Sequence, residues 1–135
     1  MNDSLNQDET AALVRWTYSP DEWHRFVKWK KRRQGFFHYL VHLLTTRKNA
    51  TPPDIEVTPN RVSFDDVHEH FHNAEYRLQR INIHDAGPLN VLEIAYRRRD
   101  QGSGPNAEIN IPVPKGKLME AIKLQDTLHN SAKRR

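Results

Sequence analysis

The chain has 135 residues, enough for one domain around a single core. With 36% hydrophobic and 28% charged residues and a mean hydropathy of -0.87, that core is lean beneath a very polar surface. The absence of cysteine excludes disulfides, thiolate nucleophiles and cysteine-ligated zinc, while a net charge of +4 favours anionic partners: nucleic acid, an acidic membrane surface or an acidic protein.

Met1 to Thr10 is polar and acidic and lacks the apolar centre of a signal peptide. The longest apolar-rich run, Phe36 to Leu44, contains His38 and His42 and falls well short of the about 20 residues that a membrane span needs. The expectation is a cytoplasmic protein without a transmembrane segment, peripheral to a membrane at most.

Residues 1–12 carry little to bury and read as a disordered tail. A single α+β domain is expected over 13–130, with a basic tail over 131–135. Alternation from Leu13 to Tyr18 suggests a short entry strand. Ser19-Pro20-Asp21-Glu22 then reads as a helix start, with Ser19 as N-cap, Pro20 first in the helix and Glu22 closing a capping box. Trp23, Phe26 and Val27 form its buried stripe, with Trp29 at the edge. Phe36, Phe37, Leu40, Val41 and Leu44 repeat at helical spacing until Thr51-Pro52-Pro53 stops the pattern.

From Asp54 the period becomes two. Ile55 and Val57, a turn at Thr58–Arg61, then Val62 and Phe64 predict a hairpin. Val67 to His72 continues as a strand, and a bulge separates Tyr76 and Leu78 from Ile81 and Ile83. Leu89 to Tyr96 is the central strand, apolar enough for both faces to be covered. Ala107 to Val113 follows, with Pro112 requiring an edge or a strand end. A last helix runs from Lys117 to Asn130, with Leu118, Ala121, Ile122, Leu124 and Leu128 as its packing stripe.

This order, several antiparallel strands and then Ile111-Pro112-Val113-Pro114-Lys115-Gly116-Lys117 leading into one C-terminal helix, resembles bacterial pleckstrin-homology-like barrel domains. The likeness covers about Asp54 to Leu128. It implies a curved antiparallel sheet of about five or six strands, a half or full barrel plugged by the helix. It also implies an adaptor or regulatory role, not catalysis, and no cofactor is expected.

Lys28-Trp29-Lys30-Lys31-Arg32-Arg33 followed by Phe36-Phe37 is the leading binding segment, since cations beside aromatics suit lipid headgroups or a phosphodiester backbone. The alternative is a solvated helix face whose aromatic stripe fills the core. Arg97, Arg98 and Arg99 form a second basic patch. His68, His70 and His72 would share one face of a strand at zinc- or nickel-binding spacing, against the plainer reading of surface histidines. Asp65, Asp66 and Glu69 add carboxylates, but no spacing marks a catalytic constellation, and Ser63 and Ser103 lack a nucleophile-elbow context. The expected function is a non-enzymatic interaction or regulatory module for a protein partner or an anionic membrane surface. Nucleic-acid binding is the second reading, and a histidine-metal hydrolase the third.

Overall fold

Ser19 and Glu22 set the first helix as their spacing predicts. Glu22 N donates to Ser19 Oγ at 3.1 Å, and Ser19 N donates to Glu22 Oε1 at 2.8 Å. In the computed structural model, which describes residues 12–33, 51–87, 89–102 and 104–133, the elements run β1 (Val14–Trp16), α1 (Pro20–Arg33), β2 (Ile55–Val57), β3 (Arg61–Phe64), β4 (Val67–His70), β5 (Tyr76–Asp85), β6 (Asn90–Arg98), β7 (Ala107–Val113) and α2 (Leu118–Lys133). The side chains of Lys31 and Arg33 lie outside that description, as do residues 1–11 of the tail expected over 1–12 and the helical segment from Phe36.

The α+β class holds, but among the described residues the strands form two antiparallel sheets and no closed barrel. One has the order β1-β2-β3-β4 and the other β5-β6-β7. The break from a single curved sheet has a local cause after His70. The Phe71 and His72 amides both donate to Asn60 O, and Asn73 Oδ1 accepts from the amides of Glu75 and Tyr76. These bonds turn the chain out of the first ladder before β5 begins.

Both sheets feed one core. Trp16, Ile55, Val57, Val62 and Phe64 from the first join Leu92, Ile94, Ile109 and Ile111 from the second. Along β6 every residue from Val91 to Tyr96 is buried, so this strand is covered on both faces. The predicted bulge appears as a register shift between Leu78 and Arg80. β7 is an edge strand, where Pro112 costs no ladder bond, and Tyr18 Oη donates to Pro112 O at 2.7 Å.

Ala121, Leu124 and Leu128 are the buried residues of α2 in the core, with Ala132 partly buried beside them, and the helix packs against β5. Leu118 and Ile122, expected in that stripe, are instead exposed. Three positions spaced i, i+3 and i+7 form a narrow seam, and the first helical turn stands clear of it. The helix also continues through Ser131, Ala132 and Lys133, residues expected in the tail. Among the described residues, no helix is long and apolar enough to cross a membrane.

Candidate interaction surface

The basic run of α1 is divided by helical geometry. Trp23, Phe26 and Lys30, at i, i+3 and i+7, are all buried, while Val27 and Trp29 pack partly against the core. Trp23 and Phe26 rings sit 5.2 Å apart, and Phe26 stacks on Trp29 at 6.0 Å. Of the residues expected in the binding segment, Trp29 therefore packs partly against the core and Lys30 is buried. Lys28 and Arg32 do reach solvent, on the side that also carries His24 and Arg25. Arg25 Nη2 meets Asp21 Oδ2 at 3.0 Å. The Lys31 and Arg33 side chains and the whole of Phe36 and Phe37 lie outside the described residues.

Arg97, Arg98 and Arg99 are engaged with the chain around them. Arg97 Nη1 donates to Arg98 O at 3.1 Å and to Gln101 O at 3.0 Å, gathering the turn after β6. Arg99 Nε donates to Asn73 O at 2.8 Å, tying that turn to the 71–75 segment. Arg98 pairs with Asp100 at 3.3 Å. Their positive charge remains at the surface, and Arg97 lies directly across the ladder from Arg77. Nearby, a groove of about 160 Å³ between β5 and α2 is lined by Arg77, Arg80, His129 and Lys133 over Leu78, Ile81 and Ala132.

The three histidines do not converge. His68 and His70 project outward from β4, but the strand ends at His70. His72 is buried, and its Nδ1 accepts from the Leu78 amide at 3.2 Å. This bond covers a backbone donor on the outer edge of β5. Among the described residues, no group of three or more histidines and carboxylates gathers to hold a metal ion.

His68 has another partner that spacing did not reveal. Ser63 Oγ lies 2.6 Å from His68 Nδ1, the two being direct partners in the β3–β4 register. Glu56 faces Ser63, and Arg15 faces Glu56 with an ion pair at 3.2 Å. A polar row thus crosses all four strands, of the kind that stabilises a sheet through cross-strand pairs. Ser63 is itself largely buried, at 5% exposure, and with Glu56, Arg61, Asp65, Asp66 and His68 it lines an open groove of about 700 Å³ on this face.

A second polar row crosses the other sheet, where Glu93 stands opposite Asn82 on one side and Asn110 on the other. Glu93 is 3% exposed. Arg80 Nη2 donates to its Oε1 at 3.4 Å, and His84 Nε2 stands 3.4 Å from the same oxygen, close enough for an ion pair but off hydrogen-bonding geometry. Burial pushes the Glu93 carboxyl up. A hydrogen bond shared with Glu108, together with the charges of His84 and Arg80, outweighs it and holds the group below its ordinary value. The signal in the sequence was a lone carboxylate inside the run Val91 to Tyr96, which periodicity alone assigns no partner. Compared with known protein families, curated proteins and solved structures, the chain matches none.

Proposed function

We propose that this chain is a non-enzymatic interaction module that docks on an anionic surface, a membrane or a protein partner. A four-stranded and a three-stranded antiparallel sheet around one core, with a C-terminal helix packed on β5, support the likeness to pleckstrin-homology-like domains. The reading implies a cytoplasmic protein, peripheral to the membrane it meets.

The observation that carries it is how charge is divided between inside and outside. Several buried or bridging polar groups are committed to one another: Ser63 to His68, His72 to the Leu78 amide, and Glu93 to Arg80, with His84 beside it. On the solvent side of α1, His24, Lys28 and Arg32 stand exposed at i, i+4 and i+8, one above the other. Such a stripe supplies attraction without chemistry. Each cation near an anionic bilayer adds about 1 kcal/mol. Lys28→Glu/Arg32→Glu should therefore weaken binding to anionic vesicles at least about tenfold at moderate salt. Unchanged binding would remove this stripe from the interface.

The basic groove between β5 and α2 favours a second reading, a nucleic-acid backbone. Arg77, Arg80, His129 and Lys133 line it without a carboxylate among them. Duplex binding would show a steep salt dependence and would weaken uniformly across sequences in Arg77→Ala.

A further inference from the structure

The first two turns of α2 carry apolar side chains that the core does not use. Leu118 is 41% exposed, Met119 67% and Ile122 40%. Ala121, Leu124 and Leu128 define the inward side of the helix, and Met119 points almost directly away from it. Leu118 and Ile122 are four apart, and Met119 and Ile122 three apart, so the three make one continuous convex patch. Exposed Lys115, Lys117 and Lys123 surround it, the first beyond the left-handed Gly116 that turns the chain into the helix. Of the nearby carboxylates, Glu120 is occupied by Lys117 at 3.1 Å and by Trp16 Nε1 at 3.1 Å, Glu22 accepts from the Lys115 amide at 2.7 Å, and Asp126 marks the patch's lower limit.

We infer that this end of α2 is a docking face for an anionic lipid bilayer. Leu118, Met119 and Ile122 enter the boundary between headgroups and acyl chains, and Lys115 and Lys123 meet lipid phosphates, while Lys117 pairs with Glu120. The inference rests on the reading of the chain as an interaction module and names where that module meets its surface. Three features favour a bilayer over a protein. The patch is convex, so it offers no groove for a peptide. Three partly exposed side chains cover only a fraction of the about 800 Å² per partner that a stable protein interface takes, which also disfavours a second copy of this chain. An apolar centre ringed by lysines matches the layering of an anionic interface, where cations sit outside and apolar groups lie deeper. Lys115 N donates to Glu22 Oε2 at 2.7 Å, which fixes the start of α1 beside the lysine ring.

The test is flotation of the full chain with vesicles of phosphatidylglycerol and phosphatidylcholine in about equal parts, against phosphatidylcholine alone, at about 0.15 M and at higher salt. The full chain should float with the anionic vesicles only. Met119→Ser/Ile122→Ser should weaken that binding about tenfold at both salt concentrations, because apolar transfer is not screened. Lys115→Glu/Lys123→Glu should weaken it chiefly at the lower one. Melting curves matching the parent's keep the variants interpretable, as all four sites are exposed. Vesicle binding that survives Met119→Ser/Ile122→Ser would overturn this face while leaving the module reading intact. Absence of vesicle binding by the parent would overturn the inference and the membrane arm of that reading together, as would retention on polyglutamate in place of vesicles.

Discussion

Tyr96 Oη donates to Glu69 Oε2 across 3.4 Å, joining the central strand of the second sheet to the last strand of the first. The Tyr96 ring meets Tyr76 edge-on at 5.6 Å, so the hydroxyl is held in place from the side. Loss of this hydroxyl in Tyr96→Phe should cost about 1 kcal/mol, the net worth of one such bond, measurable by urea denaturation. Burial first, then the neighbouring Glu69 charge, pushes the Tyr96 hydroxyl well above its ordinary pKa. Tyr18 is raised in the same way, by burial and then by Glu22. The unfolded chain releases these protons near pH 10 and the folded chain later. Their contribution is therefore intact below about pH 10 and is lost as pH rises beyond it. Tyr18→Phe/Tyr96→Phe should flatten the alkaline fall in stability; a fall as steep as the parent's would count against both assignments.

On the acid side the sign reverses. Glu93 is depressed in the folded chain, so it stabilises above the ordinary carboxylate pKa of about 4 and ceases to do so as pH falls. Glu22 behaves alike: desolvation raises it, but hydrogen bonds from the amides of Ser19 and Lys115, with the Ser19 hydroxyl and the Lys115 charge, together bring it below its usual value. Glu93→Gln should cost about 1–3 kcal/mol at neutral pH, because it keeps an acceptor oxygen but removes the buried negative charge that faces Arg80 and His84. Near pH 3 the two proteins should converge. A constant difference across that range would mean that the Glu93 charge is not what stabilises the row.

Leu92 is fully buried at the centre of β6, and Leu92→Ala should cost about 2–5 kcal/mol. Ser19→Ala should cost only about 1 kcal/mol, since it removes one end of a solvent-facing capping box. Chemical denaturation of both variants should preserve that order, and its inversion would misplace the core.

Ser63 should not react with a fluorophosphonate probe, because the residue is only 5% exposed and its hydroxyl is held against His68 Nδ1 at 2.6 Å on a regular strand, even though both line an open groove. Intact mass after incubation should equal that of untreated protein. A stoichiometric adduct at Ser63, abolished by His68→Ala, would bring acyl-transfer chemistry back into consideration.

What could be read from sequence was local. The capping box at Ser19 and Glu22, the bulge after Leu78, the burial of Val91 to Tyr96 and the edge placement of Pro112 all follow from periodicity or backbone chemistry within a few residues. What could not be read depended on distant partners. His72 was grouped with His68 and His70 by spacing, yet it bonds Leu78 beyond an intervening turn. Arg99 reaches Asn73, and Lys30 is buried by a core that no helical wheel displays. On α2, Leu118 and Ile122 had the right spacing for the core, but the helix uses a narrower arc and leaves them in solvent. The surface proposed for binding thus includes residues that the pattern had assigned to the interior.

Amide hydrogen exchange of the full chain, with and without anionic vesicles at physiological salt, tests the proposed function most directly. Slower exchange is expected at the solvent side of α1 around Lys28 and in the turn and first helical residues from Lys115 to Lys123. Exchange along β2 to β4, beneath the Ser63–His68 pair, should stay unchanged. Protection centred on that pair, or no protection anywhere, would contradict docking of this chain on an anionic membrane.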